Sequence, residues 1–180
     1  SYESDILIQD KISLMKLICK QLNKYVILTR LYSGINDGFQ AKIFHRLCDN
    51  KGPTLTLITN TSTDGIFGGF TSKEWTTPRT FKSYKDKSAF LFQIYPNKII
   101  FEQKFDTHVA VFHKEPYMVG WSSYCDLVIK DECNINTNSY AWPCDYTFNY
   151  AYQLIGGTSK KSGKVHFTVK NIEIFQVNMK

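Results

Sequence analysis

Residues 52–75 read GPTLTLITNTSTDGIFGGFTSKEW. Threonine and leucine alternate from Thr54 to Thr59, the period of two that belongs to a β-strand. Asp64-Gly65 then reads as a turn, with the glycine expected at positive φ so that this strand folds back on Ile66–Phe70. Gly68 and Gly69 fall inside the second strand. A phosphate cradle places its glycines between a strand end and a helix N-terminus, where backbone N–H groups point at the anion. Here the ladder commits those groups and no Gly-Lys-Ser/Thr follows, so the stretch reads as a hairpin. A glycine pair within a strand marks a bulge or the close approach of another segment.

On the N-terminal side, Ile8, Ile12, Met15, Cys19 and Leu22 recur at steps of four and three, one face of an amphipathic helix that Ser4 or Asp5 would cap. VILTRLY (26–32) reads as a strand. In SGINDGFQAKIFHRLCDNKGP, Asn36 or Asp37 is expected to cap a helix that buries Phe39, Ile43, Phe44 and Leu47 and stops at Gly52-Pro53. After Pro53 the period stays near two. TLTLIT, IFGGF, AFLFQI, KIIFEQ, HVAVFH, DLVIK and HFTVKNIEIFQV are the expected strands. The reading is mainly β with flanking helices, a sandwich of two antiparallel sheets. Residues 1–24 form a helix packed on the domain and residues 25–180 the sandwich, a single domain overall. Because the chain starts with Ser1, it is read as the C-terminal part of a longer protein.

The 180 residues are 43% hydrophobic and 21% charged, enough apolar surface for one buried core. No run of about 18 apolar residues occurs, and SYESDILIQD lacks the basic start of a secretory signal, which points to a cytoplasmic protein without membrane insertion. Five widely spaced cysteines suit free thiols rather than a disulfide framework. The net charge of +6 is modest and densest in RTFKSYKDK (79–87). Phe81 and Tyr84 interleave with its lysines, yet Asp86 interrupts them and no nucleic-acid motif surrounds them, so nucleic acid is not an expected partner.

The order of motifs carries a resemblance. Leu31-Tyr32, Asp37-Gly38-Phe39, Phe44-His45, Cys48-Asp49, Lys51-Gly52-Pro53-Thr54, Phe67-Gly68-Gly69, Trp75 and Ala89-Phe90-Leu91-Phe92 stand in one register. The tail adds Phe167-Thr168-Val169 and Ile172-Glu173-Ile174-Phe175. From about residue 25 to 177 the chain resembles the TLDc domain of the eukaryotic oxidation-resistance proteins and their relatives; its Lys, Asn, Ile, Tyr and Phe content suits a protist member. One departure is the stretch MVGWSSYCD, where many members carry a glycine-rich run and only Gly120 stands here. The resemblance implies a two-sheet sandwich without catalytic centre or cofactor. It also implies a protein-binding module, with subunits of the vacuolar-type proton ATPase as partners at the cytosolic face of an organelle, and a link to oxidative-stress resistance. The alternatives are a structural subunit of a cytoskeletal or membrane-associated assembly and a thiol-based redox protein.

Candidate residues follow from chemistry. A zinc site from Cys125, Cys133, Cys144, His108 and His113 lacks the paired spacing such sites show, and His108 and His113 on one strand point to opposite faces, so no metal is expected. Asp126, Asp131, Glu132 and Asp145 have no spacing that commits two carboxylates to one cleft, so no catalytic pair is assigned. Cys48, three residues after His45, is the candidate redox thiol. The chain is 15% aromatic. Exposed aromatic and basic loops are the candidate partner-binding residues: Arg79, Lys82, Tyr84 and Lys85 in one, Trp121 and Tyr124 in a second, Tyr140 and Trp142 in a third.

Overall fold

In a computed structural model that describes residues 3–7, 11–105, 109–123 and 125–180, the hairpin forms as β2 (Thr54–Asn60) and β3 (Ile66–Thr71), antiparallel from Thr54 opposite Thr71 to Thr59 opposite Ile66. The connection is closed by side chains. Asn60 Oδ1 accepts from the backbone N–H groups of Ser62 and Thr63, and Thr63 Oγ1 accepts from that of Gly65. Gly65 is not at positive φ, contrary to expectation. What requires glycine there is space: a Cβ would run into the backbone carbonyl of Ile155.

The remaining elements are α1 (Lys11–Leu22), β1 (Val26–Ser33), α2 (Gly34–Asp37), α3 (Ala41–Cys48), β4 (Lys82–Tyr84), β5 (Phe90–Tyr95), β6 (Ile99–Phe101), β7 (Val111–His113), β8 (Tyr117–Trp121), β9 (Leu127–Lys130), β10 (Ser139–Ala141), α4 (Ala151–Ile155), β11 (Val165–Phe167) and β12 (Val169–Met179). Two six-stranded antiparallel sheets result, ordered β1-β12-β2-β3-β5-β6 and β11-β10-β9-β8-β7-β4. HFTVKNIEIFQV is therefore not one strand. The chain changes sheets at Thr168, whose hydroxyl donates to the Asn136 carbonyl and whose own carbonyl accepts from Thr61.

Between the sheets lies the main core, with Ile58, Phe67, Leu91 and Ile174 from the first sheet meeting Val111, Val119, Trp121, Leu127 and Ile129 from the second. Gly69 is where they come closest: a Cβ there would stand 2.5 Å from the Trp121 indole. The glycine pair thus serves packing. Thr54 and Thr56 face this interior with Ile58, and Thr54 Oγ1 accepts from the Trp75 indole N–H at 2.8 Å. Leu55, Leu57 and Phe70 face the opposite side, beneath α1, so β2 is buried on both faces.

Helix α1 shifts the expected stripe: Met15, Cys19 and Leu22 pack partly buried against the core, but the deepest positions lie beside them. Leu14 and Ile18 are the buried pair, while Ile12 is 71% exposed; Ile8 lies outside the described residues. Ser4 and Asp5 do not sit at the start of α1. Ser4 donates to Glu173 Oε2 at 2.5 Å and the Asp5 N–H to Oε1 at 2.7 Å, while Arg30 reaches both Asp5 and Glu173. The cap expected from Asn36 or Asp37 is also supplied otherwise: the Ala41 N–H that opens α3 donates to Asp131 Oδ1 at 2.7 Å, from the β9–β10 connection. The buried residues of α3 are Ala41, Phe44, His45 and Cys48, with Phe39, Ile43 and Leu47 only partly covered.

Candidate functional site

The two outer faces differ. That of the first sheet is covered by α1, and helices α3 and α4 pack into the main core. The third apolar cluster, on the outer face of the second sheet, consists of Phe112, Val128 and Tyr140 with Tyr117 and Cys125, and contains no helical residue.

Strand register builds that face. His166 stands opposite Tyr140, and Tyr140 opposite Val128. Residues directly opposite in an antiparallel pair share a face, so alternation sends Ala141 and Leu127 inward as it sends Tyr140 and Val128 out. Gly120 is glycine because the Phe112 ring lies over it. Phe81 stacks on Phe112 at 5.0 Å, and Phe112 meets Tyr117 edge-on at 6.0 Å. Lys130 Nζ then lies 4.9 Å from the Tyr117 ring and 5.5 Å from that of Tyr140, and Lys164 Nζ lies 4.2 Å from Tyr140 and 4.9 Å from Trp142. Rings and ammonium groups alternate across the sheet, each cation held by a ring quadrupole at about 0.5–1 kcal/mol. Among the described residues neither lysine is ion-paired with a carboxylate.

Of the expected binding residues, Trp142 is 38% exposed and Tyr140 only 9%, with both lysine ammonium groups over its ring. Burial, with a bond to Cys125, pushes the Tyr140 phenol up, so it stays neutral. Trp121 is not a surface anchor. It ends β8 pointing inward, fully buried against Gly69 and edge-on to Trp75 at 5.6 Å. Tyr124 lies outside the described residues. In the stretch that departs from the glycine-rich run, Ser122 (φ 64) and Cys125 (φ 66) hold positive φ without glycine. Buried Asp126 ties this turn down, accepting from the Ser122 hydroxyl and from the N–H groups of Cys144, Asp145 and Tyr146.

The basic stretch sits at the other edge of the same sheet. Arg79, Lys82 and Lys85 are exposed. Tyr84 is corrected as an anchor: it is half-buried on the inward side, its ring 4.6 Å from that of His113. The interrupting Asp86 is no surface charge. It is buried and accepts from Thr71 Oγ1, both the N–H and hydroxyl of Ser72, and Ser88. Burial pushes its carboxyl up, and the hydrogen bonds from Ser88, Thr71 and Ser72 outweigh this and hold it below the ordinary value.

Cys48 is fully buried, and burial first, then Asp49, pushes its thiol far up; it has no access to an oxidant and no thiolate character. His45 does not pair with it. Its Nδ1 lies 2.7 Å from Asp49 Oδ1 and its Nε2 2.7 Å from the Tyr117 carbonyl, while Asp49 Oδ2 accepts from Thr77. This chain locks α3 to the β7–β8 turn beside a cleft of about 660 Å³ lined by Lys42, Arg46, Thr77, Glu115 and Asp131. Since both nitrogens are occupied, His45 acts as a brace. His113, weighed in the sequence as a strand residue and a zinc candidate, is buried; its Nδ1 meets Thr76 Oγ1 at 2.8 Å and its Nε2 has no partner. Among the described residues no three His, Cys, Asp or Glu side chains converge as metal ligands, and His108 lies outside them. All five cysteines are free.

The fold is a helix-flanked sandwich of two antiparallel six-stranded sheets. The model of the TLDc domain family matches residues 1–178, essentially the whole chain, and the chain belongs to that family. No curated protein sequence matches it.

Proposed function

We propose that this TLDc domain is a non-catalytic protein-interaction module that binds an acidic segment of its partner on the outer face of the second sheet. The observation that carries the reading is the row Tyr117–Lys130–Tyr140–Lys164–Trp142, left uncovered by any helix and holding cations without carboxylate partners among the described residues. Aromatic side chains with a fixed cation between them give an acidic chain both an apolar bed and a charge-assisted contact. Arg79, Lys82 and Lys85 at the far edge extend the positive field and would raise the association rate more than the affinity. Within the family reading, subunits of the vacuolar-type proton ATPase are the partner class, met at the cytosolic face of an organelle, and oxidative-stress resistance is a consequence of that binding.

Binding of the purified domain to the purified proton ATPase by interferometry tests the proposal. Trp142→Ala should weaken binding by about 2 kcal/mol. Lys130→Glu with Lys164→Glu should abolish it and remove most of its salt dependence. Unaltered affinity in both variants, with the wild type binding, refutes the surface. No binding by the wild type refutes the partner class.

A further inference from the structure

We infer that the solvent face of α1, together with the exposed start of β1, docks on an anionic lipid surface. This surface is separate from the ring-and-lysine face, since α1 covers the outer face of the other sheet. From Lys11 to Tyr25 the chain holds Lys11, Lys16, Lys20 and Lys24 and not one Asp or Glu; Arg30, further along, is already paired with Asp5 and Glu173. Leu14 and Ile18 turn α1 toward the sheet, and Ile12, Lys16 and Lys20, spaced four apart, share its exposed side. Beside them Tyr25 is 67% exposed, and a groove of about 410 Å³ runs between α1 and β1, lined by Ile12, Met15, Lys16, Tyr25 and Ile27. Lys98 adds a cation at the same helix, its Nζ 2.9 Å from Ser13 Oγ. On the far flank Gln21 donates to Glu102.

The arrangement selects the occupant. The apolar side chains line one groove with Lys16 on its wall and Lys20 beyond it, so whatever they enter must offer apolar volume and negative charge in the same plane. The interface of an anionic bilayer does so: apolar side chains sink to the acyl boundary, tyrosine rests at headgroup level, and lysine stems extend their ammonium groups to the phosphates. The helix lies on the surface and does not cross it; no described helix is long and apolar enough to span a membrane.

The test is co-sedimentation of the whole chain with phosphatidylcholine vesicles, with and without phosphatidylserine. Binding is expected only with phosphatidylserine, falling as salt is raised. Lys16→Gln with Lys20→Gln should lower partitioning about 25-fold, at about fivefold per lysine near the surface. Ile12→Ala should lower it about tenfold. All three positions are solvent-facing, so thermal melts should be unchanged and folding is not confounded. Trp142→Ala, on the opposite face, should leave vesicle binding as it is, which keeps this inference independent of the protein-binding reading. Absence of wild-type binding to the phosphatidylserine vesicles, insensitivity to the α1 substitutions, or loss of binding in Trp142→Ala overturns the inference.

Discussion

His113 ties part of the acid stability of this domain to a buried ring. It is 3% exposed, lies 5.0 Å from Trp75 and 4.6 Å from Tyr84 by ring centroids, and has one unpartnered nitrogen. Burial pulls it from the ordinary 6.5 down to about 4; Asp49 opposes the fall and His45 adds to it. The sign follows directly. Below 6.5 the unfolded chain takes up a proton that the folded chain refuses, so stability is whole above that value and drains away as pH falls toward 4. A gap of about two and a half pH units at about 1.4 kcal/mol each sets the full loss near 3 kcal/mol, of which about 2 kcal/mol is gone by about pH 5.

The perturbation is His113→Gln, which keeps a hydrogen-bonding group for Thr76 and cannot titrate. Urea unfolding of both proteins is followed by tryptophan fluorescence between about pH 7.5 and pH 5. The wild type should lose about 2 kcal/mol more than the variant over that range, because the variant removes only the His113 proton. Imidazole NMR gives a second reading that does not depend on the variant folding well: the His113 ring should stay neutral at about pH 5. Parallel stability curves, or a His113 ring that protonates near its ordinary value, would refute the reasoning.

Three further substitutions address the frame around the proposed surface. Trp121→Ala should cost about 3–5 kcal/mol, since it empties the contact between the sheets at Gly69, and a melting temperature within a degree or so of wild type would place the indole elsewhere. Gly65→Ala should cost about 1–3 kcal/mol by forcing a methyl group onto the Ile155 carbonyl; an unchanged urea midpoint would remove that close approach. Asp86→Ala should cost about 3 kcal/mol near neutral pH by stranding the donors of Thr71, Ser72 and Ser88. Because the Asp86 carboxyl is held below its ordinary value, its contribution is present above about pH 4 and lost as pH falls through the folded value, so wild type and variant should converge in acid.

The hairpin was legible because its signals are local: alternation from Thr54, a turn pair, and glycines within a strand. The face of α1 was not. Ile12, Met15 and Cys19 form one apolar line and Leu14 and Ile18 another, and only the sheet beneath decides which is buried. Trp121 looked like part of a loop because Ser122-Ser123 follow it, yet it closes a strand whose register points it inward. The burial of Asp126 and Asp86 was not legible, since several of the donors that hold them, Thr71 and Ser72 for Asp86 and Cys144 to Tyr146 for Asp126, come from other segments. Trp142 was readable as an aromatic in a polar stretch, but Lys130 and Lys164 reach its neighbourhood only through the pairing of β9, β10 and β11, which no local pattern encodes. Asp131 as the cap of α3 belongs to the same kind: a contact made by topology.

Many outward positions of the second sheet are rings, and rings on an uncovered face invite association with whatever is apolar nearby. Lysine stems laid across them lessen that exposure while keeping charge in water. Lys130 sits between Tyr117 and Tyr140, and Lys164 between Tyr140 and Trp142, so one cation serves two rings each time. The same lysines then select among partners. A neutral apolar surface would have to displace them from the rings at about 0.5–1 kcal/mol per contact and gain no charge pairing in return, whereas an acidic segment can meet each ammonium where it already lies. If the proposed surface binds as argued, specificity for acidic partners comes from the same lysines that shield the rings, and it requires no rearrangement of the sheet.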